Sequence, residues 1–478
     1  MSFSRLERGV PEAHGVSSKG LAAAISALEG FSSINSVMIM RHGVVLAEGW
    51  WHPYAPQYPH KLFSLSKSFT STAIGMAIAE GLFTLDDPLS RYFRDKMPAE
   101  LTPRLEAMTV RHLLTMSSGH ACCPLAAIVH SEYRRDWQRG FFAMPLAYDP
   151  GSRFAYNSTA TYMLAALIYR RAGMNVLDYL MPRLFAPLGI AQPTWDCCPA
   201  GINIGGWGLK LCTEDIAKFG QLYLQQGQWQ GQQIVPAEWV AMATSKQISN
   251  DMNKEPDWKQ GYGFQFWRCR HNAYRGDGAY GQNCIVHPAS ELVVATTSGV
   301  GNLQGVLDVV WEKILPACHK EALRDAPAAQ RALHEHLNNL HLPTPQRSAL
   351  PQLPVRNYSF TIAKNDAGVK QIDITTDEHG ADVVMHFSQK DRRRVHGAVG
   401  RWHWNAQGFA PEPYEPCAAT MAWLAENELE LRLCYVEAPF VVRFICHFND
   451  DGSAQFEHKA NFVFFGKPWP TLTGTAMH

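Results

Sequence analysis

A chain of 478 residues is too long for one ordinary hydrophobic core, so the sequence predicts two domains. Hydrophobic residues make up 46% and charged residues 18%, which is typical of a globular protein. Lysine and arginine together number 43, as do aspartate and glutamate, so the basic surplus of a nucleic-acid-binding or membrane-surface protein is absent from the sequence.

The N-terminus and the cysteines indicate the expected compartment. Residues 1–16 lack the apolar run of a signal peptide, and no segment approaches the length of a spanning helix, so a cytoplasmic protein is expected. The eleven cysteines include the adjacent pairs Cys122–Cys123 and Cys197–Cys198, and reduced thiols are expected rather than a disulfide framework. No C-x-x-C or H-E-x-x-H motif occurs, so neither a metal nor a cofactor is expected.

The first 340 residues alternate helical and strand patterns. Two apolar runs, Ser36–Met40 and Val44–Gly49, flank Arg41-His42-Gly43 and predict a β-hairpin. Helices are predicted over residues 17–30, Met108–Thr115, Thr161–Arg171, a segment with Thr213 as N-cap, Val306–Leu315 and Ala328–Leu340. Consecutive antiparallel strands are predicted over Gly261–Trp267, Gly278–His287 and Glu291–Ser298.

Prolines then indicate a boundary. Pro343, Pro345, Pro351 and Pro354 lie within a predicted linker, residues 341–355. β-rich runs follow over Val369–Thr375, Val383–Phe387, Leu429–Tyr435 and Val441–Phe448. The expected domains are therefore 1–340 and 356–478, the second a separate, mainly antiparallel β domain.

The stretch Phe63–Gly81 carries the first chemical signal. Its apolar pattern and final glycine predict an amphipathic helix, and residues three apart share a helix face, so the Lys67 amine is expected beside the Ser64 hydroxyl. A serine with a base next to it is the arrangement that acylation of a nucleophile requires. About one S-x-x-K is expected by chance in a chain of this length, so the surrounding sequence must decide.

Two further motifs provide that context. Ser64-Leu65-Ser66-Lys67, Tyr156-Asn157-Ser158 and the run Gly276-Asp277-Gly278-Ala279-Tyr280-Gly281-Gln282 follow the order and rough spacing of the penicillin-recognising serine hydrolases. The chain resembles the branch that contains class C β-lactamases, D-alanyl-D-alanine carboxypeptidases and β-lactamase-like esterases. The resemblance covers roughly the first 330 residues and implies an α/β (α+β) fold, in which helices flank an antiparallel sheet beside a helical subdomain. The C-terminal β domain also resembles an appendage of many such hydrolases.

The resemblance also implies roles for individual residues. Ser64 would form the acyl-enzyme, Lys67 would accept its proton, and Tyr156 would share the acid–base work. The backbone N–H groups of Ser64 and Ala279 would form the oxyanion hole. Ser158, Asp277 and Gly278 would contact the substrate, a small ester or amide, with no nucleic acid or membrane as partner.

Two departures from the family pattern bear on the substrate. The second motif usually ends in asparagine but here ends in Ser158, and the third usually begins with a basic residue but here begins with Gly276 and Asp277. That cation helps to hold a substrate carboxylate, so its replacement by an anion favours an ester over a β-lactam. Arg275 is expected to point to the other face of the strand from Gly276.

Structural alternatives exist for each of these residues. Ser64 and Lys67 alone fit an N-cap and a solvated lysine, Tyr156 fits a core aromatic, and Asn157 and Ser158 fit helix caps. Asp277 fits a turn residue, His120 a satisfied polar residue, and the aromatic run Trp137–Tyr148 either packing or an acyl pocket.

Three functions therefore compete. The sequence favours a serine hydrolase, specifically a carboxylesterase, over a β-lactamase or D-amino-acid peptidase. The third alternative is a catalytically idle ligand-binding or scaffold protein.

Overall fold

The computed structural model describes residues 5–346, 355–409, 415–462 and 468–477, and its contacts divide the chain into two compact units. The first unit comprises the chain up to Gly49 together with Lys61–Asn339, and the second comprises Trp50–His60 with Leu340–His478. The short segment Trp50–His60, which the sequence analysis placed in the first domain, thus packs with the second. Part of the expected linker, including Pro351 and Pro354, lies outside the described residues.

The helices of the first unit include most of those predicted. In chain order they are α1 Ser18–Glu29, α2 Ser66–Ala79, α3 Ser90–Phe93, α4 Pro103–Glu106, α5 Val110–Leu114, α6 Leu125–Val129, α7 Trp137–Ala143, α8 Ser158–Ala172, α9 Val176–Leu180, α10 Thr213–Leu224, α11 Ala237–Thr244, α12 Leu303–Val309 and α13 Pro327–Asn338. The N-cap of α10 is Cys212 rather than the predicted Thr213. The predicted helix Val306–Leu315 changes after α12 to a π-helical turn, Val310–Ile314.

The strands of the first unit are short apart from those of one central sheet. They are β1 Ile34–Arg41, β2 Val44–Trp50, β3 His60–Lys61, β4 Thr194–Trp195, β5 Leu209–Leu211, β6 Gln228–Trp229, β7 Gln232–Gln233, β8 Trp267–Arg268, β9 Tyr274–Gly278, β10 Gln282–His287 and β11 Leu292–Ser298. The central sheet has the order β2-β1-β11-β10-β9-β8, and β11 pairs antiparallel with both β1 and β10. Helix α10 packs on β1, β10 and β11, so the predicted antiparallel sheet flanked by helices is confirmed.

Two strand predictions were wrong in a way that matters for the site. Gly261–Trp267 is mostly irregular, because Gly261 and Gln265 both adopt positive φ angles and interrupt an extended chain. The predicted strand Gly278–His287 is a turn followed by β10, since Tyr280 and Gly281 have φ angles of 68° and 95°. Ala279 therefore lies just beyond the end of β9, in the turn between the two strands.

Helix α2 is the core of the first unit. The prediction of an amphipathic helix was wrong, because every residue from Ser66 to Ala77 is buried. Its polar side chains are satisfied instead by fixed partners: Ser71 Oγ donates to the Phe264 carbonyl at 2.7 Å and Thr70 Oγ1 to the Gly205 carbonyl at 2.9 Å. Gly81 ends the helix with φ 74°, as its position predicts.

The second unit is a β-barrel. Its strands are β12 Arg356–Ile362, β13 Gln371–Thr376, β14 Gly380–His386, β15 Arg392–Val399, β16 His403–Asn405, β17 Cys417–Ala425, β18 Glu428–Tyr435, β19 Val441–Phe448, β20 Ser453–Ala460 and β21 Leu472–Ala476. The order is β15-β14-β13-β12-β21-β20-β19-β18-β17-β16, and a parallel pairing of β15 with β17 closes the ring. Trp423, Phe444 and Phe456 are fully buried in this unit, so its apolar residues form a separate core. In the described residues, no helix combines the length and the apolar character that a membrane crossing requires.

Candidate active site

Ser64 lies at the entrance to α2, in the short 3₁₀ turn Phe63–Leu65 that precedes it. The residue before it, Phe63, has a φ angle of 48°, a left-handed conformation that is unfavourable for a residue with a Cβ atom. This turn leaves Ser64 partly exposed, whereas Leu65 and every α2 residue up to Ala77 are buried. The chain thus presents one hydroxyl at the surface of a densely packed core.

Lys67 lies one turn further along, with 1% of its surface exposed. Its Nζ donates to Ser64 Oγ at 2.9 Å, to Ser158 Oγ at 3.0 Å and to the Gly206 carbonyl at 2.7 Å. Burial lowers its pKa to about 7, and the Cys123 thiol and the Asp277 carboxyl oppose that shift. Close to neutral pH, a large fraction of the amine is therefore neutral and able to accept a proton.

Tyr156 completes the group that the sequence predicts. Its ring stacks on Trp267 at 5.5 Å between centroids, and Lys67 Nζ lies 4.9 Å from its ring centroid. Burial raises the pKa of its hydroxyl far above the usual value, Asp277 raises it further, and a side-chain hydrogen bond with Ser64 opposes both. The phenol therefore stays protonated at neutral pH and is suited to donate a proton rather than to accept one.

The other two residues of the second motif have different surroundings. Asn157 is the N-cap of α8, and its side-chain oxygen accepts from the backbone N–H groups of Thr159 and Ala160. Ser158 is the first residue of α8, and its hydroxyl contacts Lys67. Asn157 thus has the structural role and Ser158 the position in the site.

The third motif brings Ala279 to the Ser64 turn. A Cβ atom added to Gly278 would lie 2.1 Å from the Leu62 carbonyl oxygen, so only glycine allows the end of β9 to approach the chain this closely. The rings of Phe63 and Tyr280 meet edge to face at 5.4 Å, directly beside Ser64 and Ala279. The two backbone segments expected to form an oxyanion hole are therefore adjacent.

Gln282, to which sequence reasoning gave no role, holds this turn in place. Its side chain is fully buried and donates to the Ala279 carbonyl at 2.9 Å and to the Ser298 carbonyl at 2.7 Å. Its oxygen accepts from the Ser298 N–H at 3.2 Å. Because Gln282 ties the Ala279 carbonyl to the backbone of Ser298, it fixes the turn that carries the Ala279 N–H. The sequence signal was the end of the third motif, which contains Gln282.

The third motif of this family usually begins with a basic residue, and here that position is Gly276, which packs against Leu65 and Ser68. A Cβ atom on Gly276 would lie 2.5 Å from Leu65 Cδ1 and 2.6 Å from Ser68 Oγ, so a basic residue there would require both side chains to move. Arg275 lies on the opposite face of the strand, as predicted, and is fully buried. Its Nε and Nη2 lie 2.9 and 2.8 Å from Oδ2 of Asp277, the partly exposed member of the pair.

Two remaining candidates are structural. The ring nitrogens of His120 bond Ser118 Oγ at 3.0 Å and the Phe141 carbonyl at 3.1 Å, and burial lowers its pKa to about 4. Within the run Trp137–Tyr148, Trp137, Phe141 and Phe142 are buried on α7 and pack against neighbouring rings. The aromatic wall of the site comes instead from Trp258, Tyr262 and Trp267, of which the last two belong to the segment that the sequence indicated as strand.

Comparisons with known proteins identify the family. The family model described as Beta-lactamase matches residues 19–305, more than half of the chain. The chain therefore belongs to the beta-lactamase family, whose members are hydrolases.

Similar proteins carry different names. The 6-aminohexanoate-dimer hydrolase of Paenarthrobacter ureafaciens is 24% identical over 286 residues, covering 55% of this chain and 72% of that protein. A beta-lactamase of Escherichia coli strain K12 is 27% identical over 194 residues, 36% of this chain and 50% of that protein. Among solved structures, EstCE1, a hydrolase with promiscuous acyltransferase activity, matches with a TM-score of 0.50 and 18% identity, over 61% of this chain and 97% of that one.

Proposed function

We propose that this protein is a serine hydrolase that acts on small esters through an acyl-enzyme on Ser64. The observation that carries the proposal is the 2.9 Å contact between Ser64 Oγ and a 1% exposed lysine whose pKa is about 7. A lysine in water has a pKa of about 10.4 and is almost fully protonated at neutral pH. Burial therefore supplies the neutral amine that a serine needs as its base.

The proton path follows from the contacts. Ser64 Oγ attacks the carbonyl carbon and transfers its proton to Lys67 Nζ. When the tetrahedral intermediate collapses, Tyr156 donates its proton to the leaving oxygen and takes one from the Lys67 ammonium. Water then attacks the acyl carbon and gives its proton to Lys67, and Ser64 Oγ takes a proton back through Tyr156 and Lys67 as the acid is released.

The negative charge of the intermediate requires fixed donors. The N–H groups of Ser64 and Ala279 are proposed for this, since Gly278 brings the turn of Ala279 against the segment before Ser64. Gln282 acts as a positioning residue for this pair by holding the Ala279 carbonyl. Gly278 contributes through its lack of a side chain.

The surroundings of Gly276 support an ester over a β-lactam. A basic residue to bind a substrate carboxylate would require the Leu65 and Ser68 side chains to move. Arg275, the nearby cation, is fully buried and held by Asp277. A substrate without a carboxylate at this point therefore fits the site better.

An amide or β-lactam substrate is the second candidate. It is favoured by the names of two relatives, a 6-aminohexanoate-dimer hydrolase and a beta-lactamase. The same Ser64, Lys67 and Tyr156 would serve, with an amine as the leaving group.

One preparation of the protein tests these alternatives. We expect a fluorophosphonate probe to label Ser64, as located by peptide mass analysis, and p-nitrophenyl butyrate to be hydrolysed faster than nitrocefin. Rapid nitrocefin turnover without ester cleavage would contradict the esterase assignment. Folded protein that the probe does not label would indicate an idle member of the family.

The matched control is Ser71, a serine within α2, the helix that begins just after Ser64. Ser64→Ala is expected to abolish labelling and turnover. Ser71→Ala removes a buried hydroxyl of α2 whose partner is the Phe264 carbonyl, and it is expected to retain both. Equal loss in the two variants would show that the effect came from damage to α2.

A further inference from the structure

Asp277 directly follows Gly276, the position at which this family usually has a basic residue, and its carboxylate lies on the same face of β9 as Arg275. Its side chain is 12% exposed, while its partner Arg275 is 0% exposed. Both contacts with Arg275 end on the same oxygen, Oδ2. The pair is therefore oriented with its negative end towards the solvent-accessible side.

The guanidinium of Arg275 is enclosed by two aromatic rings and a backbone carbonyl. It lies over the rings of Trp258 at 4.3 Å and Trp267 at 5.7 Å, and Nη1 donates to the Asp257 carbonyl at 2.7 Å. A guanidinium held in this way does not leave its place to bind a substrate anion. Of the two charged groups, only the Asp277 carboxylate has exposed surface that a ligand can reach.

That carboxylate acts on the reacting groups. Tyr156 stacks on Trp267, on which Arg275 also stacks, so Asp277 and the phenol belong to one connected cluster. Asp277 raises the pKa of Tyr156 and opposes the lowered pKa of Lys67, whereas Arg275 lowers the pKa of Tyr156 by less. Near Ser64 the field of the anion thus exceeds that of its partner.

We propose that Asp277 selects substrates whose acyl group carries an ammonium group and rejects those that carry a carboxylate. This inference rests on the proposed function and names its substrate class. A substrate cation beside Asp277 gains attraction in a site of low dielectric, and an anion there meets repulsion. Asp277 is a specificity residue that neither gives nor takes a proton in the path through Lys67.

The test uses three p-nitrophenyl esters of equal shape at the end of an alkanoyl chain. One ends in trimethylammonium, one in tert-butyl and one in carboxylate, each with three to five methylene groups. For the wild-type protein we expect kcat/KM to be about tenfold higher for the cation than for the neutral ester, and at least as much lower for the anion. This preference should weaken as salt is raised.

Variants assign the preference to Asp277. Asp277→Asn should equalise the cationic and neutral esters, and Arg275→Met with Asp277→Asn should do the same without leaving a buried unpaired guanidinium. Glu255→Gln is the matched control, since Glu255 is an exposed acid that lines a surface cleft of about 330 Å³ together with Trp258. It should keep the full preference.

A pH profile on the neutral ester gives a second readout. Lys67 faces the charged or titratable groups Asp277, Cys123 and Tyr156. Loss of the Asp277 charge should move the acid limb of kcat/KM to lower pH, which a merely structural role would not do.

The outcomes separate this inference from the proposed function. Equal kcat/KM for all three esters, with the neutral ester turned over, would overturn the role of Asp277 and leave the hydrolase standing. Retained preference in both folded Asp277 variants would do so too. Absence of turnover and of fluorophosphonate labelling would instead overturn the hydrolase.

Discussion

Lys67 in the hydrolase unit and Glu430 in the barrel unit are both charged residue types with 1% of their surface exposed, yet their partners differ. Glu430 contacts Arg432 at 2.6 Å and Arg443 at 2.7 Å. Burial raises its pKa, but the two arginines outweigh burial and hold the pKa below the usual value. Lys67 donates to two hydroxyls and a carbonyl, and among the described residues no carboxylate forms an ion pair with it.

This difference in partners distinguishes a charge that stabilises the fold from one that can take part in catalysis. A buried charge with fitted partners of opposite sign keeps its charge at all ordinary pH values and fixes the packing around it. A buried amine with only neutral acceptors changes its protonation near neutral pH, and such groups concentrate at functional sites. Arg275 and Asp277 also form a buried pair, beside Lys67, but there burial outweighs Arg275 and raises the pKa of the Asp277 carboxyl.

The largest expected effect comes from removing the unpaired charge. Lys67→Met should lower kcat/KM for an ester by about 10²–10⁴, because proton transfer by a positioned base contributes that much. The wild-type rate should rise with pH through about 7, where the amine loses its proton. Steady-state kinetics from pH 5 to 9 measure both effects, and a flat wild-type profile would contradict the role of Lys67.

The same variant should be more stable at low pH. Because the folded pKa of Lys67 lies below its unfolded value, the wild type pays the full cost of a buried ammonium below pH 7. Between pH 7 and about 10.4 that cost falls by about 1.4 kcal/mol per pH unit. The stability advantage of Lys67→Met in urea unfolding should therefore be largest at pH 6 and shrink towards pH 9.

Glu430→Gln should show the opposite behaviour. Breaking a buried pair costs about 3–5 kcal/mol, because two arginines lose their partner, and this cost should appear at pH 7. Since the folded pKa of Glu430 lies below the unfolded value of about 4.3, the wild-type advantage should be lost as pH falls below that value. Thermal unfolding of the full chain at pH 7 and pH 3.5 measures this.

The control for Glu430 is on the same strand. Glu428→Gln removes the charge of a side chain that is 33% exposed and lies 3.5 Å from His447, and exposed pairs contribute about 0–1 kcal/mol. Equal destabilisation by the two variants would show that burial does not distinguish them. Ester hydrolysis by folded Glu430→Gln should match the wild type, since the change is in the barrel.

The sequence predicted the contact between Ser64 and Lys67 but not the burial of Lys67. The spacing of Ser64 and Lys67 requires only one helical turn, so their contact at 2.9 Å could be expected from local structure alone. The burial of Lys67 could not, because it depends on Ser158 and on Gly206, 139 residues away in sequence. The lowered pKa of Lys67 therefore depends on tertiary contacts that the local sequence does not show.

The fold errors have a similar origin. The aromatic run around Phe264 is typical of a strand, but long-range bonds to the Leu113 and Leu114 carbonyls hold Gln265 at φ 65°. The uniform burial of α2 was likewise hidden, because serine and threonine read as a polar face until their partners are known. The Trp50–His60 segment joins the barrel through contacts such as Tyr54 Oη to the Ala438 carbonyl at 2.9 Å, which local patterns do not show.

A Gln282 variant tests whether a buried network of uncharged hydrogen bonds also contributes to the reaction rate. Gln282→Leu keeps the volume but frees the Ala279 carbonyl, so kcat/KM should fall by about 10–100-fold, less than the 10²–10³ for loss of an oxyanion donor. Affinity for a boronic acid that mimics the tetrahedral intermediate should fall in parallel. Asn283→Leu is the control, because Asn283 is buried in the same strand and bonds Thr296 Oγ1 at 3.1 Å. Equal rate losses in the two variants would mean that only stability had changed.

The smallest effect should come from Ser158, one of the three acceptors around Lys67. Its hydroxyl accepts from Nζ at 3.0 Å and so favours the ammonium form, which means that Ser158→Ala should lower the pKa of Lys67 further. The acid limb of kcat/KM should move to lower pH by less than about one unit, with a plateau within a few-fold of the wild type. Ser158→Thr keeps the hydroxyl and should restore the wild-type limb. If all three proteins share one limb, the hydroxyl does not contribute to the protonation of Lys67, and the buried amine owes its behaviour to burial alone.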